Sequence, residues 1–138
     1  MNQDSLMPVA QKELMGCAIA CVGFVLSITY EEASRLFHRP EQAGYDGYMC
    51  ADIVDALSKR GVKCRIRKSM SGPSRVSPGT IVFLGKSAKY PTGHYVVKTN
   101  GGWMNPWENF PRVDPAIAKI AKYQPPGLIS YEVIQEAS

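Results

Sequence analysis

The sequence predicts a single α+β domain in which N-terminal helices pack on a small antiparallel sheet. Three observations carry this. The helical segments all fall between Cys17 and Arg60, strand-like alternation replaces them from Val62 onward, and Asn100-Gly101 marks a tight hairpin between two of the later segments. A chain of 138 residues is long enough for one real core and suits one domain spanning residues 1–138.

The elements follow in chain order. Residues 1 to 10 read as an extended lead-in, because Pro8 disfavours helix before it. The run CAIACVGFVL, Cys17 to Leu26, is apolar on every side, which predicts a helix buried all round. Gly23 weakens that helix by about 1 kcal/mol relative to alanine but lets a neighbour approach closely. A second helix is expected from Thr29 to Phe37. Thr29 suits the N-cap, and Glu31 and Glu32 suit the positive end of the dipole. His38 would sit at the opposite end and Pro40 would stop the helix. EQAGYDGYM, residues 41–49, reads as a Gly- and Tyr-rich loop.

A third helix is expected from about Cys50 to Arg60, with Ile53, Val54 and Leu57 facing inward and Gly61 ending it. VKCRIRK, TIVFLGK, HYVVKTN and LISYEVI then read as strands, with SMSGPSRVSPG (69–79) as a surface loop between the first two. Taking Asn100-Gly101 as the turn pairs Thr99 with Gly102, Lys98 with Trp103, Val97 with Met104 and Val96 with Asn105. Opposed residues share a face and faces alternate, so His94, Val96 and Asn105 fall on one side of the sheet, with His94 diagonal to Asn105.

Composition narrows the function classes. No apolar run approaches the roughly 18 residues of a membrane span. MNQDSLMPVA lacks the basic-then-apolar order of an export signal, so the cytoplasm is the expected location, with a delivered effector as the variant. The four cysteines, Cys17, Cys21, Cys50 and Cys64, form no CxxC pair and are expected to be reduced thiols. Only His38 and His94 could add to a metal set and neither has a finger-like spacing, so neither a metal nor any other cofactor is expected. Much of the +4 net charge lies in Lys59, Arg60, Lys63, Arg65, Arg67 and Lys68. A solvated face on an edge strand is preferred there over a nucleic-acid surface, which would bind with steep salt dependence.

Cys17 begins the most apolar helix of the chain, where free backbone N–H groups and the dipole favour an anion. A cysteine in an apolar helix is by itself more often structural. Three other residues change the balance. His94 starts a strand and can hold the thiol proton, Asn105 lies across the hairpin and can orient the imidazole, and Gln11, six residues before Cys17, offers a side-chain amide to an oxyanion. The expected thiol is one whose pKa is lowered by the helix tip and the imidazole. Cys50 also heads a helix and ranks below Cys17 as nucleophile, since no glutamine except Gln42 precedes it at a suitable distance. Tyr45, Tyr48 and Tyr90 in Gly-rich loops, and Trp107 beside Asn105, are candidates to line a peptide-binding groove.

Gln-x5-Cys opening an apolar helix, a distant His-aromatic-Val-Val strand and then Asn-Pro resemble the papain-like peptidases that remove double-glycine leaders from bacteriocins. The matching positions are Gln11, Cys17, Ala20, His94, Val96, Val97, Asn105 and Pro106, and the resemblance runs from about residue 8 to 108. It extends to YDGYMCADIVDALSKRGVKCRI, which is similar to that family's loop, helix and strand. It implies a papain-like fold and a Cys17–His94–Asn105 triad with Gln11 at the oxyanion, acting on a peptide or protein substrate. The chain has Ala18 where the family has glycine, and Asn105 where it usually has aspartate. Two alternatives use the same residues: a protein-glutamine deamidase or transglutaminase-type effector, and a catalytically silent peptide-binding domain.

Overall fold

The computed structural model describes residues 7–69 and 75–136. The central part of the 69–79 loop and most of the N-terminal lead-in therefore lie outside the described residues. Helices come first, α1 (Cys17–Leu26), α2 (Tyr30–Ser34) and α3 (Cys50–Ser58). The strands follow, β1 (Cys64–Lys68), β2 (Ile81–Leu84), β3 (His94–Lys98), β4 (Trp103–Asn105), β5 (Lys119–Ala121) and β6 (Ile129–Gln135). They form one six-stranded sheet in the order β1-β6-β2-β3-β4-β5, and each neighbouring pair is antiparallel. None of the helices among the described residues is long and apolar enough to cross a membrane.

The helix α1 is buried from Ala18 through Phe24, as its all-round apolar sequence requires. Gly23 is the point of closest approach. A Cβ there would stand 3.1 Å from the Ile28 carbonyl and 3.5 Å from the Ala33 Cβ, so the start of α2 packs directly on the backbone of α1. On its other flank α1 meets one face of the sheet through Ile81, Tyr95, Val97, Met104 and Val133. The opposite face carries a smaller cluster of Val76, Val82, Leu84, Val96 and Trp103.

The second helix is shorter than its periodicity predicts. It ends at Ser34, so residues 35–37 form turns and His38 lies beyond the helix, exposed, without a dipole to complete. Its start is as expected. The Thr29 hydroxyl accepts from the Glu32 N–H at 3.0 Å and the Glu32 carboxylate accepts from the Thr29 N–H at 3.1 Å, a reciprocal capping box. Thr29→Ala is expected to cost about 1 kcal/mol, read as a lowered urea midpoint with unchanged slope. The stretch expected to be loop after Pro40 opens with a 3₁₀ turn, Pro40–Gly44, because proline at the start supplies the required φ and needs no N–H partner.

The hairpin register is the one the Asn-Gly turn dictates. Val97 opposes Met104 and Lys98 opposes Trp103, and the Thr99 N–H donates to the Gly102 carbonyl at 2.9 Å. Strand β1 is an edge strand, consistent with its basic solvated face, but its inner face fades along its length. Cys64 is buried, whereas Ile66 is 44% exposed. Arg67 is not free charge: it donates at 3.0 Å to the buried Glu132 across the pair.

Candidate active site

The segment KYPTGH delivers the histidine. Gly93 takes φ +83 and its N–H donates to the Tyr90 carbonyl at 3.0 Å, closing a tight turn just before β3. A side chain at 93 would run into the Leu84 carbonyl, 2.8 Å from a Cβ there. The turn folds Tyr90 back onto His94. Their rings stack at a centroid distance of 4.1 Å and an interplanar angle of 5°.

Both partners of the predicted dyad are buried, His94 and Asn105 each being 2% exposed. His94 Nε2 lies 2.7 Å from Asn105 Oδ1. The same Oδ1 accepts from the Trp107 N–H at 3.0 Å, while Asn105 Nδ2 donates to the Tyr90 hydroxyl at 3.0 Å. The Tyr90 hydroxyl in turn donates to the Trp107 carbonyl at 2.7 Å. Because Oδ1 is an acceptor, Nε2 carries the imidazole proton, and Nδ1 holds the lone pair. Burial pushes the His94 imidazole down to about 4, and the bond to Asn105 only partly opposes this. The ring is therefore neutral at physiological pH.

Cys17 is the first residue of α1 and half-buried. Gly16 before it sits against the Tyr30 hydroxyl, so a side chain at 16 would collide with it. The backbone N–H groups of Tyr95, Ala18 and Cys17 itself favour an anionic sulfur, which is the helix-tip effect expected from the sequence. Burial outweighs them and pushes the thiol up to about 11. The expected depression of the thiol is thus reversed, because a helix end covered by a sheet loses water as well as gaining N–H groups. The Tyr95 N–H brings the sulfur to the start of β3, one residue past His94, and Cys17 is also close enough to Tyr90 to raise its phenol. In-strand alternation turns the His94 side chain to the face of the sheet opposite the one that α1 covers, with Val96, while Tyr95 and Val97 face α1.

Gln11 is buried and tied to the same region, its N–H donating to the Pro106 carbonyl at 3.3 Å. Its side-chain Nε2 donates to the Glu13 and Leu14 carbonyls at 3.0 and 3.1 Å, and its Oε1 has no partner among the described residues. Both amide hydrogens are committed within their own loop, so an oxyanion would receive one only by exchange. The loop itself is braced against α2 by Tyr30 donating to Glu13 and by the Lys12–Glu31 ion pair.

The aromatic candidates separate. Trp107 walls an open groove of about 620 Å³, with Gln11, Leu14, Val113, Pro115 and Ala116 among the other lining residues. The loop that supplies 113–116 folds back through the Glu108 N–H to the Ile117 carbonyl, 2.8 Å, and the Ile117 N–H to Asn109 Oδ1, 2.7 Å. Tyr45 is 61% exposed beside Gly44, a lining residue of the groove. Tyr48 is placed structurally instead, its ring 4.6 Å from Phe37 and its hydroxyl donating to the Arg39 and Pro40 carbonyls. Cys50, the rival nucleophile, has its sulfur 3.7 Å from the Tyr95 hydroxyl and is raised by burial. Tyr90 is the residue whose place the sequence reading missed. The signal was the Pro-Thr-Gly turn, which brings the residue three before the glycine next to the residue after it.

Comparison of the chain with models of known protein families, with curated proteins and with solved structures finds no match.

Proposed function

We propose that the protein is a papain-like cysteine hydrolase that cleaves a peptide or isopeptide amide. The buried 2.7 Å bond between His94 and Asn105 carries the reading, because a carboxamide holding Nε2–H leaves Nδ1 as a base for a thiol. Cys17 Sγ attacks the carbonyl carbon and His94 Nδ1 takes the thiol proton. The C–N bond then breaks as that proton passes to the leaving amine. Water, deprotonated by the same nitrogen, hydrolyses the thioester and restores the thiol. Backbone N–H groups at the tip of α1 receive the oxyanion, joined by Gln11 once it gives up a loop carbonyl. The groove beside Trp107 takes the peptide. Deamidation and transglutamination use the same steps with a different amide or acceptor.

A second reading has its own support. The committed Gln11 amide and the raised thiol suit a silent peptide-binding domain. Alkylation separates the two. A thiolate–imidazolium pair has the same number of protons as the neutral pair, so its population does not change with pH between the two titrations. A lone thiolate grows tenfold per pH unit below its pKa. With iodoacetamide and mass-spectrometric mapping, the Cys17 rate is expected to be nearly flat from about pH 5 to 6.5, below the range where lone thiolate takes over, and to become steep in His94→Ala. A steep rate in the unmodified protein that His94→Ala leaves unchanged would favour the silent domain.

A further inference from the structure

We infer that Tyr90 is a positioning residue that fixes which way the Asn105 carboxamide faces and, through it, which nitrogen of His94 carries the proton. Two separate contacts set the amide. The Trp107 N–H needs an acceptor at Oδ1, and the Tyr90 oxygen needs a donor at Nδ2. The second need exists because the Tyr90 proton is already given to the Trp107 carbonyl, leaving lone pairs toward Asn105. A reversed amide would put N–H against N–H and oxygen against oxygen at once. The flat stack of Tyr90 on His94 adds a third restraint, holding the imidazole in the plane that Asn105 meets. Tyr90 is itself 2% exposed and braced by Phe110 at a ring distance of 5.3 Å.

The same geometry explains why an amide stands at position 105. A carboxylate there would face a lone pair of Tyr90. To relieve that, Tyr90 would have to turn its proton from the Trp107 carbonyl, leaving a buried acceptor unmet. Positions 90 and 105 are therefore coupled, and an aspartate is compatible with His94 only when the Tyr90 hydroxyl is gone.

The inference rests on the proposed function for its rate readout alone. The variants are Tyr90→Phe, Asn105→Asp and the pair together, with Cys17 alkylation by iodoacetamide at pH 5.5, where lone thiolate contributes little, and ¹⁵N spectra of His94 as readouts. Tyr90→Phe keeps the stack and loses the hydroxyl. It is expected to slow alkylation by about tenfold and to mix the two His94 tautomers, where the unmodified protein shows Nε2–H alone. Asn105→Asp is expected to slow it similarly, and the double variant to be no slower than Asn105→Asp alone rather than showing the product of the two losses. Unmodified protein gives a measurement free of folding defects: the Asn105 side-chain NH₂ protons should exchange slowly with solvent. A single His94 tautomer in Tyr90→Phe, multiplicative rate losses or fast Asn105 exchange would each overturn the inference. Should Cys17 fail to react in every form, the hydrolase reading falls, and the tautomer and exchange results still decide the role of Tyr90.

Discussion

Cys17→Ser is expected to abolish the proposed peptide cleavage, by about 10³-fold or more, while keeping its far-UV spectrum and its stability to urea within about 1 kcal/mol of the unmodified protein. A peptide-library assay read by mass spectrometry checks this. The loss follows from proton energetics rather than from shape, since sulfur and oxygen occupy similar space. With the thiol at about 11 and the imidazole at about 4, moving the proton between the separate groups is uphill by roughly 9 kcal/mol. Even at a separation of about 4 Å, opposite charges would recover only about 4 kcal/mol at an effective dielectric of 20. On the proposed mechanism the resting pair is therefore neutral, and charge separation would belong to the attack, when the oxyanion donors at the tip of α1 would begin to contribute. A serine hydroxyl is several pKa units less acidic than a thiol, so the same weak base cannot activate it. Retained cleavage in Cys17→Ser would remove Cys17 from the chemistry.

The neutral resting pair is also where reading the sequence reached its limit. The placement of His94 and Asn105 on one face was legible, because a two-residue Asn-Gly turn leaves one register and alternation does the rest. Burial of α1 was legible from its lack of a polar stripe, and the Thr29 cap from its i,i+3 glutamate. The direction of the thiol shift was not. It depends on how much water the sheet removes from the helix tip, a sum over residues distant in sequence. Strand β5 escaped for a different reason. Three residues, Lys119–Ala121, carry too little alternation to announce a strand, and their pairing with Trp103, Met104 and Asn105 is imposed by the neighbour. Gln11 shows a third kind of limit. Its spacing from Cys17 is visible in the chain, but the two carbonyls that occupy its amide belong to the conformation of its own loop.

Stability is expected to fall by about 2–3 kcal/mol between pH 7.5 and pH 4.5 on account of His94 alone. The sign follows from the two states. In the unfolded chain the imidazole titrates near 6.5, whereas the fold holds it at about 4. Between those values the unfolded state binds a proton that the folded state refuses, so acid favours unfolding. The contribution is fully present above the unfolded value and is exhausted once the pH drops below the folded one. Carboxylates add a slope of the same sign at lower pH: Glu31 is held below its ordinary value chiefly by Lys12, and Glu32 by the Thr29 backbone N–H. The difference between the unmodified protein and His94→Gln removes these shared terms. Urea unfolding of both at pH 7.5 and 4.5 should give the unmodified protein the steeper loss by the stated amount, whatever His94→Gln costs at neutral pH. Parallel losses would mean that the ring protonates freely in the fold, and a freely protonated ring is not one shut between Tyr90 and Asn105.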